Sequence, residues 1–311
     1  MNIQQIIDII NFNILSIHDL SGKAINSPFG NTPNTFITTQ LNLALLKYAQ
    51  YTKALESIKS MPIGSISLIT PPSDIIRSQG INFMTIVINS FKYPIQMQDI
   101  STTIGNFPVQ SQGIPTWGFY WQNLIQLYPQ NNNTYAQTIL TNDILATDTT
   151  INVESTAGFE IKAGRITIGN EVIYYDSITL TSFINCKRGM EGTIASANPI
   201  NTPVLCNNLW FYYFKKHFNI PVNPDDSIPA NILAMESDVP DEHLEVITDY
   251  TSYKLLHKLD EGRAQAYKVN FDDWLEKIRQ QVNKSRVRRT TSSIRNKYYW
   301  EDPIPFNWGL R

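Results

Sequence analysis

The stretch Ile184–Thr193, INCKRGMEGT, sets a thiol (Cys186), a guanidinium (Arg188) and a carboxylate (Glu191) within six residues, with Gly189 among them and Gly192 directly after. A cysteine nucleophile needs a base, most often histidine, to hold it as thiolate. The four histidines, His18, His217, His243 and His257, all fall outside the β-patterned segment around Cys186. Arg188 can lower a thiol pKa, but Cys186 ends a strand-like run, and the expected role is a packed strand end. Glu171 with Asp176 or Glu191 offers the two carboxylates of a glycosidase. Acids beside glycine turns are commonplace in β modules, so that reading is set aside. His243 and His257 can share a helical face but stand too far apart along it to share a metal. The chain has no Walker loop, no GxGxxG after a strand, no GxSxG and no HExxH. The expectation is a chain without a catalytic set, cofactor or metal, and not an enzyme.

The densest functional signal lies elsewhere. Lys284, Arg286, Arg288, Arg289, Arg295 and Lys297 follow one another with no acid before Glu301. Tyr298, Tyr299, Trp300, Phe306 and Trp308 come after them, and Pro303 and Pro305 forbid a regular helix there. Such a segment docks on an acidic protein through aromatic anchors, contacts nucleic-acid phosphates, or stays solvated. The aromatic density argues against the solvated tail. Residues 284–311 are therefore expected to form an extended arm.

These residues need elements to hold them. A chain of 311 residues allows two domains or one with an insertion. Hydrophobic residues make up 42% and charged ones 17%, against about 25% charged on average, so the polar surface is rich in uncharged groups and suits a subunit packed against neighbours. A net charge of −2 excludes nucleic-acid binding by bulk electrostatics. Two cysteines, Cys186 and Cys206, make neither a disulfide framework nor a zinc site by spacing, and two reduced structural thiols are expected, with a bridge left open. The acid-bearing N-terminus does not read as a signal peptide, no apolar run reaches bilayer length, and a soluble compartment is expected.

The periodicity predicts a short apolar helix near the start and a second from Phe36. Ile37, Leu41, Ala44, Tyr48, Tyr51, Leu55 and Ile58 share its core face, and Thr35 is a candidate cap. From Pro62 to Leu140, β-branched and aromatic runs alternate with turn residues. Residues 141–204 read as a compact all-β segment punctuated by glycines, inserted into something else. After Cys206 the pattern turns helical: one helix starts near Asp238–Glu242 and runs towards Leu259. After a break at Gly262, another puts Ala264, Tyr267, Phe271, Trp274, Ile278 and Val282 on one face.

Two stretches carry a resemblance. GIPTWGFYWQNLIQLYP, from Gly113 to Pro129, preceded by LNLALLKYAQYTKAL and followed by the helical passage Ile228 to Val282, resembles the head-to-tail adaptor (connector) proteins of short-tailed and related bacteriophages. The β segment, with TTINVESTAGF, GRITIGNEVIYY and CKRGMEGT, resembles a small β module that recurs in phage tail and virion proteins, departing from it at ANPINTPV. Within that module CKRGMEGT is the closing turn, where Gly189 and Gly192 supply unusual backbone angles and Arg188 and Glu191 pair or bond to backbone.

The resemblance implies an α+β fold. A helical adaptor core of long antiparallel helices with short strands, residues 1–140 and 205–283, is interrupted by a small all-β barrel or sandwich at 141–204, and the extended arm follows at 284–311. It implies a structural virion protein at the head–tail junction, made in the host bacterial cytoplasm. Twelve copies would form a ring that joins the capsid portal to the tail and lines or seals the DNA exit channel. Its partners would be the portal protein, the tail nozzle or hub proteins, tail fibres on the β module, neighbouring copies and, transiently, genomic DNA, with no membrane. Arg286, Arg288, Arg289, Arg295, Tyr298, Tyr299, Trp300, Phe306 and Trp308 would dock on the portal. The alternative is a tail or baseplate protein that holds fibres through the β module.

Overall fold

The structure is a computed structural model. It describes residues 1–15, 34–65, 68–76, 80–88, 90–98, 112–121, 123–132, 135–257 and 260–293, without the side chains of 15, 121 and 285–293. The chain divides into two compact units, one of residues 1–56 with the described residues from Phe214 onward, the other of Ser57–Tyr213.

The first unit is a helix bundle. Helix α1 (Ile3–Leu15) buries Ile3, Ile6, Ile7, Ile10 and Ile14, spaced by three and four residues along one stripe. Helix α2 (Asn34–Thr52) buries Ile37, Leu41, Ala44, Leu45, Tyr48 and Ala49. It begins under a borrowed cap. The Asp226 carboxylate accepts from the Asn34 and Thr35 amides, both at 2.8 Å, and from the Thr35 hydroxyl at 2.5 Å. An anion there meets the free N–H groups and the positive end of the helix dipole. Thr35 is thus held by the cap and is not itself the cap. The helix stops where Lys53 turns left-handed at φ 53°. The expected stripe therefore ends early: Tyr51 is exposed, and Ile58 lies in a strand.

After the short α3 (Ala230–Leu233) and a 3-10 turn at Asp241–His243, α4 (Leu244–Leu256) packs against α1, α2 and α5 (Glu261–Ser293). Helix α5 buries Ala264, Phe271, Leu275 and Ile278; Leu275 takes the core place expected for Trp274, which is exposed. Gly262 sits in the first turn of α5 rather than in a break.

The second unit is built of β structure. Its strands are β1 (Glu56–Met61), β2 (Leu68–Ile69), β3 (Ile81–Ile88), β4 (Phe91–Gln98), β5 (Gln112–Gly113), β6 (Trp117–Trp121), β7 (Leu124–Tyr128), β8 (Gln130–Asn131), β9 (Gln137–Ile139), β10 (Ile151–Asn152), β11 (Lys162–Ile168), β12 (Glu171–Ile178), β13 (Ser182–Ile184), β14 (Lys187–Met190), β15 (Pro203–Cys206) and β16 (Leu209–Phe214). One curled sheet of seven runs β1-β16-β3-β4-β6-β7-β2. The β16–β3, β3–β4, β6–β7 and β7–β2 ladders are antiparallel, and in β4–β6 Gln96 faces Trp117 in parallel register. Its core holds Ile63, Met84, Ile86, Ile95, Ile125, Leu127, Leu209, Phe211 and Tyr213. The second sheet runs β10-β13-β12-β11-β15-β9 with β14 on the flank of β12. It closes over a separate core of Leu140, Ile151, Phe159, Ile166, Ile173, Tyr175, Phe183, Cys186, Val204 and Cys206.

This corrects the expected fold class. Among the described residues the chain is mostly β, with two curled seven-stranded sheets and a two-stranded one beside five helices, and not a helical core with a small β insertion. Strands β1, β2, β3, β4, β6 and β7 join β16 in a sheet with its own core, and β5 pairs with β8 in a separate two-stranded sheet, so they do not merely accompany the helices. The arm is corrected as well. Residues 284–293 continue α5, because nothing between Gly262 and Pro303 breaks a helix.

Candidate functional site

The chemistry-bearing turn after Cys186 is held by two buried carboxylates, and each has a different cation. Glu171 opens β12 and is fully buried. Arg188 grips it with two nearly parallel bonds, Nε to Oε1 at 2.8 Å and Nη2 to Oε2 at 2.7 Å. The Gly189 and Ser196 amides add donors at 2.8 and 3.1 Å. Burial alone would raise the Glu171 carboxyl; the bonds from Arg188, Gly189 and Ser196 outweigh it and hold the pKa below the ordinary range. The same guanidinium reaches the carbonyls of Leu145 and Ser196. One ion pair thus fastens β12, β14 and two loops.

Glu191 does not pair with Arg188. It sits at φ 58°, a strained backbone for a residue with a side chain, and its carboxylate points the other way. There it accepts from the Ser60 amide at 2.5 Å, the Ser60 hydroxyl at 2.7 Å, Arg165 Nη1 at 3.0 Å and Tyr174 Oη at 3.0 Å. Ser60 belongs to β1, so this carboxylate bolts the second sheet to the first. The bolt has an aromatic collar. The Arg165 guanidinium lies 4.0 Å from the Trp210 ring centre and 4.5 Å from that of Tyr174, and Lys92 Nζ covers Trp210 at 4.2 Å. Trp210 donates its indole N–H to the Asn207 carbonyl at 2.7 Å. Glu160 completes the group: it is buried, and its Oε1 has no hydrogen-bond partner among the described residues. Burial raises its pKa to about 7, against the pull of Lys92 and Arg165.

This arrangement holds strands and loops. The acceptor oxygens of Glu171 and Glu191 are taken up by guanidinium, hydroxyl and backbone donors, and both side chains are sealed from solvent. Cys186 and Cys206 are free thiols buried in one core, and burial pushes both pKa values up to about 12, opposite to the shift a nucleophile needs.

The histidines do not converge. His217 bonds the Phe218 carbonyl and Ser237, His243 Nδ1 meets the Tyr48 hydroxyl at 2.6 Å, His257 follows the end of α4, and His18 lies outside the described residues. Among the described residues no group of His, Cys, Asp and Glu has metal-binding geometry, and no helix is long and apolar enough to cross a membrane.

Of the expected docking residues, Arg286, Arg288 and Arg289 lie on the last turns of α5. Arg295, Tyr298, Tyr299, Trp300, Phe306 and Trp308 lie outside the described residues. Gly189 and Gly192 adopt φ 62° and 82°, and Arg188 and Glu191 face different partners. Sequence reasoning missed Arg165, Ser60 and Trp210. One signal was there: in GRITIG the alternation turns Arg165 to the opposite strand face from Ile166 and Ile168, a cation where a strand packed on both faces tolerates one only with a partner.

Compared with known proteins, the chain matches no protein-family model and no curated relative.

Proposed function

We propose that this chain is a structural virion protein, a head-to-tail adaptor that joins the capsid portal to the tail as a ring of copies. The observation that carries the reading is the overreach of α5. Helix α4 has 13 residues and spans about 20 Å, whereas α5 has 33 and spans about 50 Å. The last buried side chain described on α5 is Ile278, and from Arg279 to Lys284 none is buried. Beyond Arg279, which pairs with Glu276 and bonds Tyr51 of α2, the overreaching part carries Lys284, Arg286, Arg288 and Arg289, and no acid follows Glu276 until Glu301. A helix that leaves its bundle with unbalanced cations is a lever for an acidic partner, and the aromatic-rich sequence beyond it supplies anchors of the kind that dominate protein interfaces. The buried ion pairs of the β unit supply rigidity, which a load-bearing joint needs. Resemblance of Gly113–Pro129 and Ile228–Val282 to phage adaptors names the partner as the portal.

The test is co-sedimentation with portal-bearing capsids, comparing the full chain with one lacking residues 284–311. The full chain is expected to pellet and the truncated one to stay in solution. Equal pelleting of both, or none by the full chain, overturns the reading.

A further inference from the structure

The helical unit carries an open cavity of about 700 Å³ between α2 and residues 216–222. Most of its polar lining is already engaged. Asn42 bonds both the amide and the carbonyl of Ile220. Thr35 bonds Asp226, while Thr38 and Thr39 bond backbone carbonyls of their own helix. His217 is held by Phe218 and Ser237. Among the described residues, what remains for an occupant is the amide of Asn219, the apolar Leu43, Leu46, Phe218 and Val222, and a single formal charge on Lys216, with no carboxylate in the lining. A polar metabolite would lose its water there and find few partners. Aliphatic side chains framed by negative charge fit.

Such a surface exists on the β unit. The chain enters the second sheet beside Ala136 and leaves at Cys206, whose amide bonds the Ala136 carbonyl. At the far end of that sheet lie the loops 143–148 and 191–201. They are tied together by the Ile144–Asn198 bridge, by Asp143 accepting from the Ile200 amide, and by Arg188 reaching the carbonyls of both. These loops expose Leu145 at 62%, Ile194 at 85% and Ile200 at 49%. Residues 141–150 and 192–203 contain Asp143 and Asp148 but no lysine or arginine. A buried ion pair thus fixes, in advance, apolar tips that have nothing to pack on within their own sheet. Pre-ordering loops in this way lowers the entropy lost on binding.

We propose that the loop tips of one copy seat in the α2 cavity of a second copy, with Leu145 and Ile194 against Leu43, Leu46 and Phe218, and Asp143 and Asp148 towards Lys216. The contact joins two different surfaces, so it propagates head to tail from copy to copy, and closes as a ring where the rotation between copies divides a full turn. It does not depend on the portal reading, because it needs no partner besides this chain.

The test uses full-length protein and a bis-maleimide cross-linker. The wild-type thiols are buried and give the background. The double variant Ile194→Cys/Leu43→Cys is expected to give a ladder of covalent oligomers. A mixture of Ile194→Cys copies with Leu43→Cys copies is expected to stop at covalent dimers, and each single variant alone to stay monomeric. Both positions are exposed, so melting temperatures should match wild type. Dimers of Ile194→Cys alone would reveal a tip-to-tip contact and overturn the proposal. So would the absence of adducts in the mixture at any protein concentration. A charge swap checks the electrostatics: Asp143→Lys with Asp148→Lys, and Lys216→Glu, should each abolish sedimenting oligomers, and the two changes together should restore them. Failure of the pair to rescue would remove Lys216 from the contact and with it the proposal.

Discussion

Arg188 and Glu171 form a fully buried bidentate pair, 7% and 0% exposed, and the guanidinium also holds carbonyls from both far-end loops. Truncating one member of such a pair strands the other charge in a dry site, typically at about 3–5 kcal/mol. Arg188→Ala should therefore lower the unfolding free energy of the full chain by about that amount in urea denaturation. Arg188→Lys should recover only part of it, since an ammonium cannot reproduce the planar fork. If Arg188→Lys matched wild type, the fork would be irrelevant and the pair merely electrostatic.

The two glycines of the same turn carry different loads. Both have positive φ, but a Cβ on Gly189 would also meet the Thr193 carbonyl oxygen and the Ala195 amide at 3.1 Å, whereas one on Gly192 would meet nothing within 4 Å. Gly192→Ala pays only the left-handed strain, about 1 kcal/mol. Gly189→Ala adds a tight approach to backbone beside the Glu171 bonding set, to which Thr193 and Ala195 must give way, and should cost about 2 kcal/mol. Paired thermal melts check the order, and equal losses would refute it.

How far these features were legible follows from their physics. The helix near the start, the α2 stripe as far as Tyr48 and the strands β11 and β12 are local patterns, and they sit where the sequence places them. Strand β4 was hidden by Pro94. It survives there because the β4–β6 ladder covers only Gln96–Gln98, so the missing N–H is not needed on that side. Strand β1 was hidden inside a helical stripe that Lys53 cuts short by a local left-handed turn. The fold class failed for a related reason: which strands pair with β16, more than a hundred residues away from β3, is a long-range property without a local mark. The glycine turn was readable, but the partners of Arg188 and Glu191 were not. Nothing in the spacing says that Glu191 turns to Ser60, 131 residues back.

The cap on α2 is equally non-local. Asp226 lies 192 residues from Asn34 and answers three donors at the helix start. These bonds hold its carboxyl below the ordinary range, led by the Thr35 hydroxyl. The stabilisation is present above the unfolded pKa and is lost as pH falls through the lower native value. Asp226→Ala should lower the melting temperature at neutral pH and make little difference in acid, where the wild-type carboxyl is protonated too. Asp226→Asn should fall between, keeping an acceptor without the charge. A pH-independent loss would mean that the side chain acts by packing alone.

Glu160 gives the opposite sign. Its carboxyl is buried, Oε1 has no hydrogen-bond partner among the described residues, and its pKa rises from 4.5 in the unfolded chain to about 7 in the native one. Between those values the native state holds a proton that the unfolded chain has released. The contribution to stability is therefore full below the unfolded pKa and is lost as pH climbs through the native one. The span corresponds to about 3 kcal/mol at most. Asp249, raised to about 6 by burial, works in the same direction, whereas the lowered His217 and His243 work in the other. The raw pH profile mixes all four, so the informative quantity is the difference between wild type and Glu160→Gln, which keeps the shape and removes the titration. That difference should grow in favour of the variant from pH 5 to pH 8, read by chemical denaturation at each pH, with Trp210 fluorescence reporting the collar. A flat difference would show that Glu160 keeps an ordinary pKa, with Lys92 and Arg165 compensating its burial in full.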